Sequence, residues 1–217
     1  MATLLLRLTG PMQSWGTASR FDERDTGLEP SKSGVIGLLC AALGRDRSAA
    51  VDDLALLRMG VRVDREGVLL RDYQTATGVL LASGKQKDER TVVSPRYFLS
   101  DASFLVGLEG DDVALLGSAY AALASPVWPL CLGRKAFPPG EPVWLPDGLR
   151  DSDLQAALAT YPLPAARGVS GARRFIFETG GEGALRMDQP IAPFSERRFG
   201  PRFVRQEERH VPVSPSA

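Results

Sequence analysis

Four stretches of this chain gather side chains that can hold an anion or a planar ring. Ser31-Lys32-Ser33-Gly34 precedes the apolar run Val35 to Leu43. A helix opening there offers unpaired backbone N–H groups and the positive end of its dipole, with Ser hydroxyls as added donors and Lys32 as a charge. The same residue types also make an ordinary N-cap. Gln13 and Trp15 lie in the turn Gly10 to Gly16, where a Trp can stack on an unpaired base and a Gln can reach a base edge. A Trp in that place serves equally as a core plug. In Gly133-Arg134-Lys135, Gly133 permits close backbone approach and the two cations can neutralise phosphates. Lys85, Lys87, Arg90 and Arg96 form a basic group, with Tyr97 beside Arg96 as a stacking candidate.

Other chemistries find less support. Gly27 to Gly34 lacks the Gly-Lys-Ser/Thr order of a nucleotide-binding P-loop. Metal-free RNA cleavage needs a general acid and base, usually His, and the one His is His210 near the C-terminus; Tyr73 or Lys32 would have to stand in. Asp22, Glu23 and Asp25 share one loop, but no second carboxylate cluster joins them, so they read as solvated acids with no metal. Cys40 and Cys131 lack the spacing of a metal or disulfide framework and are expected to be reduced. No cofactor and no catalytic residue is expected.

The elements that must carry these residues read as follows. Residues 3–9 form a buried strand ended by Gly10-Pro11. Residues 16–33 are a long loop with Phe21 as its aromatic anchor. A helix runs from Ser33-Gly34 to about Leu43 and stops at Gly44. Ser48 caps a second helical stretch, Ala49 to Arg58. Val61-Arg62-Val63 and Val68 to Tyr73 are expected to pair as a hairpin around Arg65-Glu66-Gly67. Val79-Leu80-Leu81 and Thr91-Val92-Val93 then pair across a charged tip, giving a protruding arm over 74–96 that can meet either RNA or, by its apolar face, a protein. A strand Ala102 to Leu108, a helix from Asp111-Asp112 to about Ala124 and a strand Val143-Trp144-Leu145 complete β-α-β-β-α-β by about residue 146. A short helix (151–160) and a strand (174–178) lie in a C-terminal extension, 147–209, and 210–217 is expected to be an unstructured tail.

Composition is that of an ordinary globular domain, with 44% apolar and 24% charged residues, and no apolar run approaches the ~20 residues that span a bilayer. The N-terminus lacks a basic region ahead of its apolar run, so a cytoplasmic protein is expected, with no membrane contact. Zero net charge speaks against a general basic field. Charge is nevertheless separated, since Asp101, Glu109, Asp111 and Asp112 form an acidic block apart from the basic 85–96 stretch.

The order of several segments carries a resemblance. A strand followed by Gly10-Pro11-Met12-Gln13-Ser14-Trp15-Gly16, then Ser31 to Leu39, Leu70-Arg71-Asp72-Tyr73, Arg96 to Phe104 and Pro129 to Lys135, resembles the Cas-five family of repeat-associated RNA-binding proteins of CRISPR systems. The likeness covers roughly 1–145 and fades beyond Arg150. It implies an α+β protein with a ferredoxin-like (RRM-type) core, a projecting thumb corresponding to the 74–96 hairpin, and a role as a non-catalytic Cascade subunit that caps the 5′ handle of crRNA. It further implies that Gly133-Arg134-Lys135 is the glycine-rich basic loop against the handle. The backbone subunit and the large PAM-reading subunit are the implied neighbours, with target DNA met only indirectly. Type I-C relatives of the family are endoribonucleases, so a repeat-processing enzyme remains a second expectation. A small-ligand domain unrelated to RNA is a third, favoured by the zero net charge.

Overall fold

An N-terminal octet whose five apolar residues fall on both faces, Ala2 to Thr9, is buried on both sides only inside a covered sheet. The computed structural model describes residues 1–19, 23–79, 91–163 and 171–211 and builds such a sheet around that octet. In chain order the elements are β1 (Ala2–Thr9), β2 (Met12–Gln13), α1 (Lys32–Leu43), α2 (Asp52–Ala55), β3 (Arg58–Arg65), β4 (Val68–Thr77), β5 (Thr91–Ser100), β6 (Ser103–Gly110), α3 (Val113–Ala124), β7 (Leu149–Arg150), α4 (Leu154–Thr160), β8 (Gly171–Thr179), β9 (Ala184–Pro190) and β10 (Phe199–Val211). Seven strands pair in the order β7-β1-β6-β3-β8-β10-β9, and a second sheet has the order β2-β5-β4; every one of these pairs is antiparallel. The result is a mixed α/β architecture with few helices.

Alternation in β1 and β6 sends Leu4, Leu6, Leu8, Phe104, Val106 and Leu108 toward α1 and α3, while Leu5 and Leu105 face α4 with Phe175 and Phe177. The α4 layer sits close because Gly60 and Gly107 lack side chains: a Cβ on Gly107 would stand 2.6 Å from Leu154 Cδ1. Local signals set the helix ends. Ser31 accepts from the Gly34 N–H, Gly44 ends α1 at φ 69°, and the Asp112 carboxylate accepts from the Leu115 N–H. No helix among the described residues is long and apolar enough to cross a membrane.

Several expectations need correction. Val61–Val63 and Val68–Tyr73 do not pair with each other. β3 is a core strand between β6 and β8, whereas β4 is exposed along nearly all its length and pairs with β5 from Val68↔Ser100 to Thr77↔Thr91. Gly67, at φ 75°, lets the chain leave the large sheet at that turn. The arm therefore begins at Val68 and returns at Ser100, wider than 74–96. Leu80 and Leu81 lie outside the described residues.

Ser48 caps nothing, since its N–H and hydroxyl both donate to Asp46, and the following helix is a single turn with Val51 at its N-cap. Val143–Leu145 is not a strand. The Arg7 N–H donates to Val143 O and the Leu5 N–H to Gly148 O, so this proline-flanked stretch runs along β1 until β7 pairs with it. The C-terminal strands β8 to β10 extend the same seven-stranded sheet. His210 and Val211 close β10, with Val211 buried, so they do not belong to a tail; 212–217 lie outside the described residues.

Candidate nucleic-acid interface

The start of α1 is the first place predicted to hold a phosphate, and the chain fills it itself. The Lys32 N–H donates to Asp188 Oδ2 at 2.8 Å, and Arg202 holds the same carboxylate through Nε and Nη2 at 2.9 and 2.7 Å. Lys32 Nζ sits 3.0 Å from both Glu178 oxygens with its side chain 1% exposed, and the Met59 N–H also donates to Glu178. Burial pushes the Lys32 ammonium below the usual lysine range against the pull of Glu178. A carboxylate at a helix N-terminus satisfies the groups a phosphate would use. Ser31 is buried as the cap and Ser33 is half-buried; a Cβ on Gly34 would lie 2.9 Å from Trp15 Cε3. Ser31, Lys32, Ser33 and Gly34 thus form an internal joint, and the expected anion site there is not open.

Gln13 and Trp15 are corrected in the same sense. Gln13 is fully buried, its Nε2 donating to Leu8 O at 3.1 Å and Ala102 O at 2.8 Å, and its Oε1 accepting from Trp15 Nε1 at 3.2 Å. Trp15 is 1% exposed under α1. Neither ring face nor amide edge is available to a base.

The remaining predicted cations gather at the root of the arm. The 131–137 loop folds onto the turn after β2: the Ser14 N–H donates to Leu132 O, Leu132 N–H to Phe137 O, and Phe137 N–H to Arg134 O. Gly133 takes φ 87° with its backbone against Ser14, where any Cβ would collide with the Ser14 carbonyl oxygen. This geometry delivers Arg134, whose Nη2 donates to Arg24 O and Asp25 O at 3.1 and 3.2 Å and whose guanidinium stands 5.6 Å from the Phe137 ring centroid. Phe137 in turn packs on Phe98 of β5, centroids 5.9 Å apart.

Arg24 docks along β5, its N–H donating to Pro95 O at 2.9 Å and its carbonyl accepting from the Tyr97 N–H at 2.8 Å. Arg24, Arg96 and Arg134 thereby share one neighbourhood, with Lys135 exposed next in sequence; half-buried Tyr97 follows Arg96 in β5 and therefore projects to the opposite face of that strand. Burial, then the nearby charges of Arg96 and Arg24, push the Arg134 guanidinium below the usual arginine range, with Asp25 and Asp72 opposing. Among the described residues the Arg96 Nε is buried and has no hydrogen-bond partner. Like charges held together and partly desolvated favour an incoming anion.

Asp25 fixes the loop that supplies Arg24. Its carboxylate accepts from the Thr17 and Ala18 N–H groups at 3.2 and 3.1 Å and from the Ser19 hydroxyl. Burial pushes its carboxyl up, but bonds from Ser19, Ala18 and Thr17 outweigh that and leave it below the usual range. Arg24 was not singled out in the sequence because it sits among Glu23 and Asp25, which mask its charge in any local count. Lys85, Lys87 and Arg90 lie outside the described residues. Among the described residues no three His, Cys, Asp or Glu side chains are grouped to hold a metal.

Residues 3–205 match the family described as CRISPR-associated protein (Cas_Cas5). The chain is 35% identical over 171 residues to the CRISPR system Cascade subunit CasD of Escherichia coli (strain K12), covering 73% of this chain and 76% of that protein. A solved structure described as a crystal structure of a Cas protein superposes with a TM-score of 0.80 at 50% identity, covering 99% of this chain and 100% of the other. A chain of a CRISPR RNA-guided surveillance complex superposes with a TM-score of 0.81 at 36% identity, covering 98% of this chain and 92% of its counterpart. With nearly its whole length matched in both sequence and backbone, the chain belongs to the Cas5 family of CRISPR-associated proteins.

Proposed function

We propose that this chain is a CasD-like, non-catalytic subunit of a CRISPR RNA-guided surveillance complex and that it holds the 5′ handle of crRNA at the root of its arm. The observation that carries the reading is the proximity of the Arg24, Arg96 and Arg134 charges where β5, the 23–27 loop and the 131–137 loop meet, with exposed Lys135 following Arg134 in sequence. Guanidinium groups suit phosphate oxygens and the faces of splayed bases. Handle phosphates position the RNA, and guide pairing reads the target.

The antiparallel order β7-β1-β6-β3, with α1 and α3 on one face, supports the ferredoxin-like reading of the core. Exposed Val68, Leu69, Leu70, Tyr73 and Val93 give the arm apolar surface suited to a backbone subunit, and the large PAM-reading subunit is the second neighbour proposed for the chain. The repeat-processing alternative loses one of its two stand-in groups, because Lys32 is enclosed with Glu178.

Binding of the full chain to labelled crRNA with and without its handle, at two salt concentrations and followed by a denaturing gel, tests the proposal. Handle-dependent, salt-sensitive binding of intact RNA is expected. A shortened product would overturn the non-catalytic assignment, and equal affinity for both RNAs would overturn handle recognition.

A further inference from the structure

The cluster at the arm root stands on two segments that must be held in register with the large sheet. One is the arm, which leaves at Arg65-Glu66-Gly67 and returns at Asp101. The other is the loop that carries Arg24 and continues to Glu29 before α1. β4 has β5 as its strand partner, and β5 joins β2 over two residue pairs. The ion pair between Arg65 and Asp101 at the root, 3.7 Å, is well exposed and gives little restraint.

Arg174 of β8 reaches both segments. Its Nε and Nη2 donate to the two oxygens of Glu66 at 2.9 and 2.7 Å, and its Nη1 donates to Glu29 Oε2 at 3.0 Å. Arg186 of β9 holds the other Glu29 oxygen at 2.9 Å. The Arg174 and Glu29 side chains are 15% and 14% exposed, so this contact is shielded where an ordinary surface pair is not. All three guanidinium nitrogens are engaged, which a lysine could not reproduce.

We infer that Arg174 is a positioning residue for the interface: without touching RNA, it locks the arm root and the Arg24 loop to β8 so that Arg24, Arg96 and Arg134 converge. The inference rests on the reading of that cluster as an RNA interface. Glu66 lies at the point where the chain turns out of the large sheet, and Glu29 lies five residues beyond Arg24. A fork joining both to a central strand therefore restrains both halves of the cluster at once. Loss of the fork leaves the seven-stranded sheet paired as before, removes the hold of β8 on Glu66 and leaves Glu29 to Arg186 alone.

The test uses the full chain and four variants, Arg174→Ala, Arg174→Lys, Glu66→Gln and Arg134→Ala, with two readouts. Amide hydrogen exchange without RNA is expected to rise about tenfold in Val68–Thr77 and Thr91–Ser100 for Arg174→Ala, with β1 and β6 unchanged. Affinity for handle RNA is expected to fall about tenfold for Arg174→Ala while the slope of log affinity against log salt stays at the wild-type value; Arg134→Ala lowers that slope by about 1. Arg174→Lys restores neither readout, since a single nitrogen cannot present the parallel pair of donors to Glu66 and a separate third donor to Glu29. Unchanged exchange in the arm, a reduced salt slope for Arg174→Ala, or full rescue by lysine would each overturn the inference. Should Arg174→Ala not fold, Glu66→Gln at its exposed turn carries the same two readouts. If the wild-type chain shows no handle binding, the RNA reading fails, and the exchange experiment, which contains no RNA, still decides the role of the fork.

Discussion

At the scale of single residues, the predicted binding side chains divide into those the fold consumes and those it presents. Arg134 is presented, and its replacement by alanine should weaken handle RNA and lower the log–log salt slope by about 1, read by titration at four salt concentrations. A slope equal to wild type would mean that Arg134 meets no phosphate. Trp15 and Gln13 are consumed. Trp15→Ala should cost about 3–5 kcal/mol of stability from the cavity it leaves. Gln13→Ala should cost about 1–3 kcal/mol, because the carbonyls of Leu8 and Ala102 lose their donor. Urea unfolding measures both, and the fraction that remains folded should bind RNA as wild type does. Nothing in the local sequence separates the two classes. Gln13 is satisfied by a carbonyl 89 residues away, and a turn Trp has the same sequence neighbours whether it points in or out.

At the scale of elements, short-range signals were legible and partner choice was not. The caps Ser31, Gly44 and Asp112 act within four residues, so sequence alone locates α1 and α3. β3 and β4 are adjacent and joined by a Gly turn, which reads as a hairpin. Each finds its partner elsewhere because β3 is apolar enough for the core and β4, with Arg71 and Asp72, is not. β10 was missed because Arg205, Glu207 and Arg209 interrupt its pattern; Arg209 lies over the Phe175 and Phe177 rings and pairs with Glu207. The loop bearing Arg24 adds a pH dependence. Asp25 has a depressed carboxyl, so its stabilisation is present above the unfolded value of ~3.9 and is lost as pH falls through the folded one. The Thr17 and Ala18 amide resonances should therefore shift in a single acid titration beginning below about pH 4, and Asp25→Asn should abolish it. A titration midpoint above the unfolded carboxylate value would contradict the assigned bonds.

At the scale of the whole molecule, the C-terminal strands are part of the core and not an appendix. β10 lies between β8 and β9, and its Arg202 completes the buried group of Lys32, Glu178 and Asp188 that anchors the start of α1. Removing one member of such a group leaves an uncompensated buried charge, worth about 3–5 kcal/mol. Deletion of 199–217 should accordingly abolish folding, and the intact chain should unfold in one transition by far-UV circular dichroism and tryptophan fluorescence; two separated transitions would contradict a single cooperative core. This unity ties the site to the fold, since β5, the Arg24 loop and the 131–137 loop meet only where the large sheet and the arm join.

The central claim is that RNA lies on the arm root and not on the helix start. Photo-crosslinking of a 4-thiouridine-scanned handle RNA to the full chain, with peptides identified by mass spectrometry, tests it most directly. Crosslinks confined to peptides containing Arg24, Arg96-Tyr97 or Arg134-Lys135 are predicted. Crosslinks concentrated on Ser31 to Gly34, with the arm root untouched, would contradict the account.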